Sequence, residues 1–285
     1  MDVQYHLNGT AVRASTADSY RRAIERVVLF MHERLDETLS LQDLADVAFM
    51  SPFHFNRVFR QITGIPPSQF LYALRLETAK RLLLTSHFSV TDVCFEVGYN
   101  SLGTFTTRFT QLVGLPPSLL RRLAEDSVMD YLEVFNDAGV EKDFGAAGGR
   151  QLSGSVSINC GFEGMIFIGL FKTPIPQNRP VGCAVLSGPG VYRIEHVSSG
   201  KYYLFAAGFD RPKDSLTFLL PGAKSLYVGA SHTPLLVYGN RVIGQTDIDM
   251  RLAQLTDPPI LTALPLMLKE YFDRGSGRLC MSAAT

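Results

Sequence analysis

Between Ser51 and Gly64 the segment PFHFNRVFRQIT separates two kinds of residue at helical spacing. Phe55, Val58, Phe59 and Ile62 recur on one face, and Phe53, His54, Asn56, Arg57 and Arg60 are left on the other. The second set is suited to reading base edges in a nucleic-acid groove. The Arg57 fork can meet guanine O6 and N7, Asn56 can pair with adenine, and Phe53 can touch a thymine methyl. His54 or Arg60 can hold phosphates. The competing reading is an ordinary solvated helix face, and one such helix would not decide between them.

The frame returns 50 residues later. Ser51, Phe55, Phe59, Gln61, Gly64, Pro66, Pro67 and Ser68 fall on Ser101, Phe105, Phe109, Gln111, Gly114, Pro116, Pro117 and Ser118. Upstream the offset is 49 (Ser40/Ser89, Asp43/Asp92), so the second copy carries one extra residue in its turn. Its outer face differs in chemistry, offering Gly103, Thr104, Thr106, Thr107 and Arg108. Arg108 stands where the first copy has Val58, near the edge of the apolar face, so it suits a sideways reach to a phosphate. A repeat of this kind fixes the architecture before any element is assigned. Two groove-reading units in one chain imply two contacts on one duplex.

The elements that must position these faces follow from local signals. Ile24, Val27, Val28, Met31 and Leu35 predict a helix over 18–36, capped by Asp18 or Ser19. Ser40 with Asp43, and Ser89 in the second copy, start short helices. Pro52 fits the first position of the helix over 52–63, and Gly64 and Gly114 supply left-handed ends. A long helix from Ser68 to Thr85, 18 residues, spans roughly 27 Å and bridges the two units.

Composition narrows the setting. The chain has 285 residues, with 27 Lys and Arg balanced by 27 Asp and Glu. Residues 1–125 hold 13 cations, 12 of them arginine, against 12 acids. That balance predicts weak non-specific affinity and contacts made by locally placed charge. No apolar run approaches bilayer length and MDVQYHLNGT is not a signal peptide, so the expected place is the cytoplasm. Cys94, Cys160, Cys183 and Cys280 are scattered, which predicts free thiols and no metal. Neither paired carboxylates nor a Ser/His/Asp set stands out. The reading is therefore non-enzymatic, with no cofactor.

LSLQDLADVAFMSPFHFNRVFRQITGIPPSQF, then RLETAKRLLL, then SVTDVCFEVGYNSLGTFTTRFTQLVGLPPSLLR resemble the DNA-binding domain of the AraC/XylS family of bacterial transcription regulators over residues 20–124. The resemblance implies a seven-helix domain with two recognition helices in successive major-groove segments. By position it assigns base reading to Phe53, Asn56 and Arg57, and in the second unit to Leu102, Gly103, Thr106 and Thr107. Many members carry arginine where this chain has Thr107, a departure that thins the second reading set.

The remainder has a different character. Residues 126–154 carry six acids against two cations and end in GAAGGRQLSG, which reads as a linker between independent pieces. From about 155 the pattern is β: Val181/Cys183/Val185, Tyr192/Ile194, Tyr202/Leu204/Ala206 and Ile248/Met250/Leu252 alternate. About seven short strands predict an all-β antiparallel sandwich over 155–285, with PPILTALPLMLKEYF as a terminal helix. GPGVYRIEHVSSGKYYLFAAGFD and TDIDMRL resemble transthyretin-like or carboxypeptidase-regulatory-like sandwiches. That resemblance implies a contact module without chemistry of its own. Tyr202, Tyr203, Phe205 and Tyr227 are the candidates for a small-molecule or carbohydrate effector pocket, against the commoner role of strand packing. Promoter DNA is the expected partner, RNA polymerase and a second copy of the chain are further candidates, and a membrane is not.

Overall fold

The computed structural model places the starts of the second to sixth helices within a residue of those expected, and that of the first helix earlier. It describes residues 4–125, 151–159, 161–195, 197–210, 225–231, 233–239 and 241–263. Seven helices come first: α1 (Gln4–Glu33), α2 (Leu41–Val47), α3 (Pro52–Thr63), α4 (Pro67–Thr85), α5 (Val90–Glu96), α6 (Leu102–Val113) and α7 (Pro117–Glu125). α1 begins well before Asp18, which therefore lies inside the helix with Ser19. Its first turns lack an apolar stripe, the signal used to place the start, yet Ala11, Ala14 and Ala17 favour helix there.

α2 and α5 each open with a reciprocal cap. The Ser40 N–H donates to Asp43 Oδ2 at 2.8 Å and the Asp43 N–H to Ser40 Oγ at 3.2 Å. Ser89 and Asp92 repeat this at 2.9 and 3.1 Å. Both carboxyls are held below their usual range by these bonds. The caps satisfy orphan N–H groups that a seven-residue helix could not otherwise pair.

Among the described residues nine strands follow: β1 (Leu152–Ile158), β2 (Gly164–Phe171), β3 (Gly182–Leu186), β4 (Gly190–Ile194), β5 (Gly200–Asp210), β6 (Leu226–Ala230), β7 (Leu235–Tyr238), β8 (Arg241–Ile243) and β9 (Ile248–Leu252). They run in the order β3-β2-β5-β6-β9-β1-β4, with β7 on β5 and β8 on β7. β3 and β4, at the two ends of this path, are consecutive in the chain and lie side by side, so the sheet is nearly closed. This differs from the expected sandwich of two stacked antiparallel sheets. β1 and β9 also pair in parallel, Val156 opposite Ile248 and Ile158 opposite Met250. Closure follows from β5, whose 11 residues pair with β2 along one edge and with β7 and then β6 along the other.

Inside the curl lie Ile166, Ile168, Leu170, Tyr192, Ile194, Leu204, Ile248 and Met250. On β2, β3 and the end of β5 the outward-facing apolar residues are covered as well. Met165, Phe167, Val185 and Phe209, with Ile175, Leu261 and Ala263, join the buried apolar cluster of the helices. β2 is thus covered on both faces, which explains its unbroken run MIFIGLF. Residues 258–263 carry no helix and run along this junction, contrary to the terminal helix expected to start there. The rest of that segment and residues 126–150 of the expected linker lie outside the described residues.

Candidate nucleic-acid interface

Each recognition helix is held from below by aromatic edge-to-face packing. Under α3, Phe55 meets Phe59 at 5.5 Å between centroids, and Phe59 meets Phe70 of α4 at 5.4 Å. Under α6, Tyr99 meets Phe105 at 5.3 Å and Phe105 meets Phe109 at 5.5 Å. These rings are buried, so the opposite face of each helix must point outward. Both helices end at a left-handed glycine, Gly64 at φ +81° and Gly114 at φ +93°.

The turns differ. Gly98 is tucked under the end of α1, where a Cβ would come 2.4 Å from the Leu35 carbonyl oxygen. Phe49 takes the corresponding left-handed conformation, at φ +57°, with an 88% exposed side chain. The extra residue expected in the second turn is present, since α5 and α6 are separated by residues 97–101 and α2 and α3 by 48–51.

On α3, Phe53, Asn56, Arg57 and Arg60 are exposed, with Phe53 at 86%. His54 is half-buried and set edge-on against Tyr20 of α1, with centroids 5.5 Å apart. Arg57 Nη2 lies 3.3 Å from His54 Nδ1. A guanidinium can only donate, so Nδ1 accepts and the ring proton sits on Nε2. Tyr20, His54 and Arg57 therefore form a chain that restrains the guanidinium over the outer face of α3. Sequence reasoning gave His54 a phosphate. The geometry adds a role in orienting Arg57, and Tyr20 was not foreseen.

On α6, Leu102, Gly103, Thr107 and Arg108 are exposed and Thr106 is half-buried. Thr110 spends its hydroxyl proton on the Thr106 carbonyl at 2.7 Å. Arg108 leaves the helix sideways, its guanidinium carbon 5.8 Å from the centre of the Tyr72 ring on α4. That is the edge position expected of the residue replacing Val58.

The four aromatic residues proposed for an effector pocket do not converge. Tyr202 is buried inside the curl, donating to the Ser198 carbonyl at 3.0 Å. Tyr203 and Phe205 occupy the opposite face of β5, Tyr203 beside Lys201 and Phe205 edge-on to Phe171. Tyr227 packs on Phe162. Among the described residues no group of three His, Cys, Asp or Glu could hold a metal, and no helix is long and apolar enough to cross a membrane.

Residues 44–123 match a family model described as a helix-turn-helix domain. The HTH-type transcriptional activator AarP of Providencia stuartii is 31% identical over 109 residues, which are 38% of this chain and 80% of that protein. The chain belongs to the AraC-type helix-turn-helix regulators. The uncharacterized HTH-type transcriptional regulator YobQ of Bacillus subtilis is 30% identical over 130 residues, 42% of this chain. The match spans about half of that relative, 54% of its length. A solved structure of the DNA-binding domain of AdpA, in complex with a target DNA, is 33% identical. It covers 37% of this chain and 96% of that one, with a TM-score of 0.35.

The second head of this AraC-type domain is held from behind by the sheet. The last carbonyls of any helix lack intrahelical donors. In α6 the Leu112 carbonyl accepts from the Asn178 N–H and the Val113 carbonyl from the Ala263 N–H. Thr262 Oγ1 in turn donates to the Asn178 carbonyl at 2.7 Å, locking the two sheet-domain segments together. Lys80 Nζ on α4 donates to the Ile260 carbonyl at 2.9 Å, and Arg21 on α1 donates to Gln254 at 3.0 Å. Burial pushes the Lys80 amine down to about 8 despite the nearby Glu77, itself pushed up by burial.

Proposed function

We propose that this protein is a transcription regulator in which one chain places α3 and α6 in successive major-groove segments of promoter DNA, with its sheet domain setting the position of α6. The observation that carries the reading is the pair of outward faces, Phe53, Asn56, Arg57 and Arg60 on α3 and Leu102, Gly103, Thr107 and Arg108 on α6, held on one α4 bridge. Nineteen residues of α4 span roughly 28 Å, close to the ~34 Å between successive major grooves on one side of a duplex. Arg57 reads guanine, Asn56 and Phe53 read its neighbours, and Arg60 and Arg108 hold phosphates. The boundaries that go with this reading are 1–125 for DNA contact and a sheet domain that starts with β1 at Leu152, three residues before the expected 155, so the expected connection over 126–154 is shortened to 126–151.

Regulation enters through α6. The sheet supplies two backbone donors to its C-terminal carbonyls, so displacing the 173–180 and 258–263 segments moves the second head and leaves the first untouched. A non-enzymatic contact or effector module, as in transthyretin-like domains, fits a sheet whose interior is filled with side chains. A second reading, dimerisation through the sheet, is favoured by exposed Leu236, Tyr238 and Ile243 on the β7–β8 hairpin.

The test is selection of bound duplexes by the full chain, followed by footprinting. Two protected major-groove segments about one turn apart, bound by a monomer, support the reading. One segment per chain, or protection only by a dimer, refutes it.

A further inference from the structure

Between the two heads the AraC-type domain has an open groove of about 420 Å³. Three elements build its polar side: Arg75 from α4, Tyr99 from the turn before α6, and Arg108 from α6. Tyr99 is only 9% exposed; the Arg108 guanidinium donates toward its hydroxyl oxygen, and the hydroxyl proton finds no acceptor. The Arg75 Nε, also buried, has none either, although its Nη2 is spent on the Glu37 carbonyl at 2.7 Å. Burial pushes the Tyr99 hydroxyl up on balance, and the charges of Arg108 and Arg75 only partly offset it. The acid nearest this set is Asp36, which acts on Arg75, and no Asp or Glu among the described residues lines the groove. The opposite wall is apolar, formed by Leu39, Leu44 and Leu71.

A buried donor without an acceptor is costly, so a groove walled by Arg75, Arg108 and the unspent Tyr99 proton favours a negatively charged acceptor. The volume falls within the usual ligand-pocket range of roughly 300–1,000 Å³. A bare phosphate would leave the leucine wall uncovered. We propose that this groove binds a small organic carboxylate with an apolar body. The carboxylate takes its hydrogen bonds from Arg75, Tyr99 and Arg108, and the hydrocarbon lies on Leu39, Leu44 and Leu71. Asn56 and Arg108 also line the groove and belong to the DNA-reading faces. An occupant therefore competes with DNA. That consequence rests on the two-headed reading proposed above, whereas occupancy itself does not.

The test uses the full chain with hexanoate as probe, 1-hexanol as its uncharged counterpart and inorganic phosphate as the bare anion. Binding is followed by calorimetry and by amide NMR shifts. Hexanoate should bind, with hexanol and phosphate each weaker by about tenfold, the loss expected for charge-assisted hydrogen bonds or for the apolar contact. Tyr99→Phe, which removes one oxygen, and Arg75→Met should each weaken hexanoate about tenfold. In a separate arm, hexanoate should reduce affinity for a selected duplex in the wild type and not in Tyr99→Phe. Failure of all carboxylate binding overturns the groove proposal, as does binding that neither variant changes. If both variants weaken DNA while hexanoate does not bind, the groove takes a backbone phosphate and the proposal falls. A chain that binds hexanoate but no duplex leaves the site standing and brings down the DNA reading instead.

Discussion

Lys80→Met should make the protein more stable at neutral pH and should flatten its alkaline stability profile. Lys80 is 5% exposed, and the tail residues 258–263 help to bury it. A fall from 10.5 to about 8 corresponds, at ~1.4 kcal/mol per pH unit, to ~3 kcal/mol of penalty on the charged amine. Below pH 8 the folded and unfolded chains both carry the proton and the penalty is whole. Between pH 8 and 10.5 the unfolded chain keeps a proton that the folded chain has shed, so stability rises with pH. Above 10.5 both are neutral and the penalty has vanished. Methionine removes the penalty but forfeits the charge-assisted Ile260 bond, worth ~2 kcal/mol, so the net gain at pH 7 is ~1 kcal/mol. The assay is urea unfolding of wild type and variant at intervals from pH 7 to 10.5. The wild-type curve should gain ~3 kcal/mol on the variant across the window, with titrations cancelling in the difference for groups other than Glu77, which is coupled to Lys80. Parallel curves would mean that Lys80 is hydrated in the folded state and would refute the sheet-on-helix packing that buries it.

Three further outcomes are expected. Arg57→Ala should cost about 1–3 kcal/mol of DNA affinity and relax preference at one base pair, whereas Arg108→Ala should weaken all duplexes alike; competition binding across single-base variants of a selected site separates the two. Phe167→Ala removes a ring packed at 5.5 Å on Phe209 within the shared core, and should destabilise by about 3–5 kcal/mol in calorimetry. The parent should unfold in one transition and this variant in two, because the truncated side chain loosens the junction between helices and sheet. Phe49→Gly relieves a left-handed conformation at an exposed position and should raise stability by about 1 kcal/mol in the same measurement.

The helical half was legible because its signals are local. Ser40, Asp43, Pro52, Gly64 and their copies each fix a helix end through atoms within a few residues, and duplication shows the same rules obeyed twice. The sheet was legible only where one face is apolar and the other is not, as in Tyr192/Ile194 and Tyr202/Leu204/Ala206. β2 escaped because its outer residues Met165 and Phe167 pack on the helices, which erases the alternation. The parallel β1–β9 pair and the closure of the sheet join segments some 90 residues apart, such as Val156 and Ile248, and no local pattern encodes such pairings. The outward face of α3 was legible, since burial of Phe55, Val58 and Phe59 dictates it. Tyr20, Tyr72, Arg75 and Tyr99 were missed for the opposite reason. Each looks ordinary on its own element and acquires meaning only beside residues of another.

The two heads divide the work of a regulator in a way their chemistry dictates. Arg57 is restrained through His54 by Tyr20, so on the proposed reading the first head arrives at DNA with its guanine-reading group already ordered. The outer face of α6 offers methyls, a glycine and one arginine directed sideways over Tyr72, groups that add affinity more than discrimination. The sheet domain, however, holds α6 by its last carbonyls, while its bonds to Lys80 and Arg21 fall on α4 and α1. Displacing that grip therefore changes how tightly the protein binds without changing which bases it selects. A coupling of 1–3 kcal/mol is typical between sites, and the loss of a phosphate contact and a docked helix end lies within that range. Segments 173–180 and 258–263 are thus the place to look for control. Substitutions there should shift affinity equally for all duplexes, and one that altered the base preference beneath α3 would contradict this division.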